Sequence, residues 1–146
     1  MKIAIVNGPN LNLTGHRQTD IYGTDTFEKY IPALRELFPT HDIVYFQSNV
    51  EGEIINILHT CKGERRMVLL NAGGYTHTSV ALRDAVSAID VPVVEIHMSQ
   101  VAAREEFRHT SLVGAACAGT IAGFGMDSYR LGILALEKIQ EKNKKK

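Results

Sequence analysis

Apolar positions along this chain follow two periodicities, and the two alternate. Five short runs read as strands: residues 3–7 (IAIVN), 42–48 (DIVYFQS), 67–73 (MVLLNAG), 91–99 (VPVVEIHMS) and 119–125 (GTIAGFG). The middle three are rich in Val, Ile and Leu without strict alternation, the mark of strands covered on both faces. Between the runs, apolar residues recur every three or four positions, as on one face of a helix. Residues 52–62 place Ile54, Ile55, Leu58 and Cys61 on one stripe, and residues 78–89 do so with Val80, Ala81, Ala85 and Ile89. Residues 127–142 present Leu131, Leu134 and Ile139. A fourth helix is expected over 27–38, with Asp25 as N-cap and Glu28 three residues on. Pro32 stands inside it and should kink it or delay its start.

Strands alternating with helices imply a parallel sheet with right-handed crossovers. At 146 residues the natural solution is one catalytic-sized α/β domain spanning 1–146. Its expected architecture is a flavodoxin-like, doubly wound, five-stranded parallel sheet between two helix layers.

Composition changes this picture little. Lys+Arg and Asp+Glu both number 16, a formal net charge of zero. That balance offers no general attraction for nucleic acid or an anionic membrane. The one run of like charge is the C-terminal tail, where residues 143–146 are expected to be a disordered basic end. The apolar run after Met1 is too short for a signal peptide, and no apolar run reaches membrane-spanning length. The expected compartment is the cytoplasm. Cys61 and Cys117 lie far apart with no CxxC spacing and read as small core residues.

One stretch fits neither periodicity. From Gly8 to Asp25 the chain runs through "GPNLNLTGHRQTDIYGTD", rich in Asn and Gly. A connection that long without structure of its own is either disordered or functional. Arg17 and Tyr22 carry its chemical reach. A free phenol is almost wholly protonated at neutral pH, and a guanidinium beside it favours the anion. Together they could form a base able to take a proton next to a carbonyl.

In open α/β sheets ligands sit beyond the carboxyl ends of the strands, and polar residues gather at those ends here: Asn7 and Asn10, Gln47 and Ser48, Asn71, then Glu95, His97 and Ser99. In "VVEIHMS" the last three alternate with Val94, Ile96 and Met98, so they share a face of the strand. A glutamate two residues before a histidine can fix its tautomer and strengthen its hold on a proton, which makes a general acid. The competing reading is an edge strand with a wet face. A metal site is the weaker alternative, because no second ligand stands at a familiar spacing from His97. "NAGGYTHTS" (71–79) joins a strand to a helix with two glycines, helix-capping hydroxyls and His77. "AAREEFRHT" (102–110) carries Arg104 and Arg108, which share a face if the segment is helical.

These pieces closely resemble the type II 3-dehydroquinate dehydratases. The likeness runs almost end to end through "NGPNLNL" (7–13), Arg17 with "IYG" (21–23), "LNAGGYTHTSVALRDA" (70–85), "EIHMS" (95–99) and "AREEFRHTS" (103–111). The resemblance implies anti elimination of water from 3-dehydroquinate to give 3-dehydroshikimate, with no metal, Schiff base or other cofactor. It implies that Tyr22, activated by Arg17, removes the proton beside the ketone and that Asn10 supports the enolate through a water. It makes His97, held by Glu95, the acid for the departing hydroxyl. Asn71, Met98 and Ser99 would hold the substrate carboxylate. His77, Arg108 and Asp84 would read the ring hydroxyls, Asp84 from a neighbouring subunit. A dodecamer of four trimers is implied, as is a lid over residues 8–25.

The chain also departs from that pattern. Gln18 and Thr19 follow the lid arginine where Glu-Pro is usual, Gln100 follows Ser99 where Asn is usual, and Pro32 is out of the ordinary. Two rivals fit less well. An FMN-binding flavodoxin needs a hydroxyl-rich loop after the first strand and commonly a Trp, and this chain has no Trp. A phospho-receiver needs an Asp closing the third strand, where Asn71 stands.

Overall fold

The computed structural model describes residues 1–16 and 25–146. Five strands, β1 (Lys2–Asn7), β2 (Asp42–Gln47), β3 (Met67–Asn71), β4 (Val93–His97) and β5 (Gly119–Ala122), pair in parallel in the order β2-β1-β3-β4-β5. Four helices cover them: α1 (Phe27–Leu37), α2 (Glu51–Glu64), α3 (Val80–Ala88) and α4 (Asp127–Lys144). This is the flavodoxin-like three-layer arrangement that the alternating pattern implies.

Pleating sorts the strand residues between two cores. Ile3, Ile5, Leu69, Val94 and Ile96 pack with Phe27, Ile31 and Leu34 of α1 and with Tyr129, Ile133 and Leu136 of α4. Ala4, Val6, Val68, Leu70 and Val93 face the other way, onto Ile54 and Leu58 of α2 and Leu82 and Val86 of α3. All of β3 and β4 is buried, which explains why neither strand alternates in sequence. Gly132 lets α4 lie close on the sheet, since a Cβ there would come within 2.8 Å of Ile96 and Leu69 side-chain ends.

Several boundaries differ from the expectation, each for a local reason. The strand over 67–73 stops at Asn71 because Ala72 turns helical and Gly73 takes φ +60°. The strand over 119–125 stops at Ala122, where Gly123 adopts φ +100°. The N-cap position of α1 is Thr26 rather than Asp25, and its side chain makes no capping hydrogen bond. Pro32 does not delay that helix, which starts at Phe27, and it sits on the exposed side. Arg104 and Arg108 do not share a helical face: the segment folds as two separate single turns, Val101–Ala103 and Glu106–Arg108. Among the described residues no helix is long and apolar enough to cross a membrane.

Register sets up the pocket. Asn7 lies opposite Gln47 on one side and Asn71 on the other, so three amides line up at the carboxyl edge of adjacent strands. The chain leaves β1 through Gly8, whose N–H donates to Asn71 O at 2.7 Å. A Cβ on Gly8 would stand 2.5 Å from Ala72 O, a backbone atom with no freedom to move aside. Gly8→Ala is therefore expected to lower the unfolding free energy by about 1–3 kcal/mol, the usual cost of overpacking. Gly52→Ala, in open space on α2, should be neutral or stabilise by up to about 1 kcal/mol. Urea unfolding of both variants measures the contrast, and equal midpoints would refute it.

Candidate active site

The site grows from a glutamate placed where the fold gives it no water. Glu95 is 1% exposed in the middle of β4. A carboxylate in such a place is tolerated only if its lone pairs are occupied. Thr76 Oγ1 and Ser111 Oγ each donate to Oε2 at 2.6 Å, and Thr120 Oγ1 donates to Oε1 at 3.0 Å. Thr120 reaches it because β5 pairs with β4 in the register Glu95–Thr120. Thr76 sits in the turn after β3, and Ser111 in the loop before β5. Gly114 leaves the necessary room, since a Cβ there would stand 2.6 Å from Oε1. Burial pushes the Glu95 carboxyl up, but hydrogen bonds from His97, Ser111 and Thr76 outweigh it and bring it down to about 2. Glu95 is an anion throughout the neutral range.

His97, two residues on along the same face, is the fourth group on that carboxylate, with Nε2 3.3 Å from Oε2. An ionised carboxylate only accepts, so Nε2 carries the hydrogen and Nδ1 is left to exchange a proton elsewhere. β4 lies between β3 and β5, with His97 7% exposed. The edge-strand reading of Glu95 and His97 therefore fails: their polarity belongs to a buried pair. The His77 ring lies nearly parallel to His97, with centroids 6.4 Å apart. His77 Nδ1 donates to Thr110 O at 2.8 Å, which fixes its tautomer as well.

A pocket of about 150 Å³ opens beside this pair, beyond the ends of β1, β3 and β4. Asn10, Asn71, His77, His97, Met98, Ser99 and Arg108 line it, together with Arg104, Thr14 and the backbone of Gly73 and Gly74. Asn10 has φ 69°, a left-handed conformation that Asn tolerates better than most residues, and its N–H donates to Asn49 Oδ1 at 2.9 Å. Gln47 Nε2 ties the same turn down, donating to Gly8 O and to Asn49 Oδ1, each at 3.1 Å. Arg104 donates to Ser99 Oγ at 3.1 Å, and Arg108 pairs with Glu105. Ser79 caps α3, accepting from Leu82 N at 2.9 Å.

Of the expected residues, the structure brings together Asn10, Asn71, His77, Glu95, His97, Met98, Ser99 and Arg108. Asp84 does not join them; it is exposed on α3. Arg17 and Tyr22 lie outside the described residues, as do Gln18 and Thr19. Sequence reasoning missed the three hydroxyls on Glu95 and Thr14, and gave Arg104 no place in the pocket. Cys117 stays inert: burial and the Glu95 charge push its thiol up to about 12. Among the described residues, His, Cys, Asp and Glu form no group of three that could hold a metal ion.

The family model described as "Dehydroquinase class II" matches residues 1–137. A 3-dehydroquinate dehydratase of Pelodictyon phaeoclathratiforme is 48% identical over 138 residues, covering 93% of this chain and 91% of that protein. One from Carboxydothermus hydrogenoformans is also 48% identical over 138 residues, covering 93% and 90%. The crystal structure of a type II dehydroquinase from Butyrivibrio crossotus superposes with a TM-score of 0.91 at 37% identity, covering 94% of this chain and 97% of that one.

Glu95 sets a pH dependence of stability. Its folded carboxyl lies below the ordinary 4.5, so the unfolded chain binds the proton more readily. The stabilisation is complete above about 4.5 and is lost as pH falls toward about 2. Glu95→Gln should therefore destabilise most near neutrality, with the gap from wild type closing through that acid window. Chemical denaturation across pH measures it; a gap constant down to pH 2.5 would contradict the assignment.

Proposed function

The chain belongs to the class II dehydroquinases, enzymes that dehydrate 3-dehydroquinate in the shikimate pathway, and we propose that it does so by anti elimination through an enolate. The observation that supports this best is the Glu95–His97 pair, an acid held in one tautomer by a saturated buried anion at the wall of a polar pocket. In this reading His97 Nδ1 protonates the departing hydroxyl. Glu95 stabilises the imidazolium before transfer and holds the ring in place after it.

The base is Tyr22, with Arg17 favouring its phenolate, and it takes the proton beside the ketone from the opposite face. Asn10 supports the enolate oxygen through a bridging water. Asn71 and the Met98–Ser99 segment hold the substrate carboxylate, while His77 and Arg108 read ring hydroxyls. Within the proposed lid over residues 8–25 the turn at Asn10 is already tied down, and the part that carries Arg17 and Tyr22 closes over the bound ring and excludes water. The chemistry needs proton transfers and one oxyanion support, and side chains alone supply both. The protein works in the cytoplasm.

Asp84 completes the pocket from outside. It is exposed on α3 and does not line its own chain's pocket. We assign it to the pocket of a neighbouring subunit in a dodecamer of four trimers.

Turnover is read directly from the absorbance of the conjugated enone formed from 3-dehydroquinate. Tyr22→Phe is expected to lower kcat by about 10³-fold with little change in substrate binding; residual kcat within tenfold of wild type would remove Tyr22 from the base role. His97→Ala should stop elimination yet leave slow exchange of the substrate's α-proton with deuterated solvent, and elimination at the wild-type rate would make His97 structural. Sedimentation equilibrium tests the assembly. Asp84→Ala should raise KM at unchanged mass, and mixing it with an inactive His97→Ala chain should change activity if the pocket is shared. A monomeric wild type with full activity would end the shared-site reading.

A further inference from the structure

The mechanism leaves one fully buried hydroxyl unused. Tyr129, in the first turn of α4, is fully buried, and its hydroxyl bridges two strand-end amides. It donates to Asn7 Oδ1 at 2.7 Å and accepts from Asn71 Nδ2 at 2.9 Å. Asn7, itself fully buried, donates onward to Tyr45 Oη at 3.4 Å.

The direction of these bonds is forced. A phenol owns one proton, and once Asn7 Oδ1 has it the hydroxyl can only accept from Asn71. The Asn71 amide must then turn its NH₂ toward Tyr129. Its other end is fixed independently, because Gly73 N–H is a pure donor and gives to Asn71 Oδ1 at 3.2 Å. Flipping the amide would set donor against donor at half-buried Gly73 and leave the fully buried Tyr129 hydroxyl without its donor. Burial also raises Tyr129 far above the ordinary phenol range, so the chain cannot reverse by ionisation. Among the described residues one Nδ2 hydrogen of Asn71 has no acceptor, and Asn71 lines the pocket.

We propose that Tyr129 is a positioning residue that, by pinning the Asn71 amide, makes this point of the pocket an obligate hydrogen-bond donor and so selects a carboxylate oxygen there. The inference rests on the reading of Asn71 as a contact of the substrate carboxylate. It explains why a tyrosine, not a phenylalanine, occupies a site surrounded by Phe27, Ile133 and Leu136.

The test is a double-mutant cycle in the full-length enzyme, read as KM against kcat for 3-dehydroquinate. Tyr129→Phe keeps the ring and removes the hydroxyl. It should raise KM by about tenfold, with kcat changed less than threefold, and add nothing further on an Asn71→Ala background. A folded Tyr129→Phe with wild-type KM, while Asn71→Ala raises KM, would overturn the proposal and leave the Asn71 reading standing. Independent, additive effects of the two would overturn it as well. Should Asn71→Ala itself leave KM unchanged, the Asn71 reading fails and takes this inference with it. Asn7→Ala keeps Tyr129 but removes its acceptor, freeing the phenol to donate toward Asn71. It carries the same expectation and the same refutation if Tyr129→Phe does not fold.

Discussion

Everything in this site follows from keeping one charge in the interior of a parallel sheet. An unpaired carboxylate at the position of Glu95 would cost several kcal/mol. The fold meets that cost with donors drawn from four places: His97 on its own strand, Thr76 after β3, Ser111 in the preceding loop and Thr120 on β5. Because those donors come from separate elements, the anion is satisfied only when the sheet edge and both loops are assembled. The site and the fold are one cooperative object. It also explains the neighbours that do nothing chemical: Gly114 is small because a carboxylate oxygen occupies the space of its absent Cβ.

The pocket lies where the topology makes room. In the order β2-β1-β3-β4-β5 the connections leave β1 and β3 toward opposite layers, and a crevice opens between their carboxyl ends. Asn7, Gln47 and Asn71 stand in register at that edge, with Asn10 and Gly73 just beyond. Two hydrogen-bonded systems meet there with different purposes. The Glu95 cradle fixes a proton donor, while the line from Asn71 through Tyr129 to Asn7 and Tyr45 fixes a hydrogen-bond donor that keeps its protons. Each is anchored on a fully buried group, Glu95 or Tyr129, held by several hydrogen bonds.

The layers and the helix count were legible in the sequence because they depend on local periodicity, and periodicity survives in one dimension; the strand order was only the usual doubly wound arrangement. The Glu95–His97 pair was legible too, since residues two apart on a strand must share a face. What that pair meant was not legible. Whether β4 is an edge or an interior strand depends on β5, a partner some 25 residues away that contributes Thr120. The hydroxyls were missed for the same reason. Thr76 and Ser111 look like ordinary turn residues, and they contact Glu95 across 19 and 16 positions. Tyr129 is harder still, an aromatic on a helix's apolar stripe whose hydroxyl finds Asn7 across 122 residues. The capping assignment at Asp25 failed more modestly, by one residue, because Thr26 also suits a helix start.

Charge illustrates how local the function is. The chain as a whole is neutral, so it has no long-range field to draw in an anion. The pocket relies on donors placed at short range. Two guanidiniums, Arg104 and Arg108, line it, Arg108 already paired with Glu105, while the buried Glu95 carboxylate is held by its own donors. An acidic ligand there meets guanidinium and amide N–H donors, not a surplus of positive charge. Saturating Glu95 with hydroxyls thus does more than stabilise it. Glu95 itself does not line the pocket, and its charge is balanced by the His97 imidazolium in the proposed mechanism. An active site that must hold both an internal and an incoming carboxylate has to separate them in this way, by giving one every hydrogen bond it can accept and the other the cations.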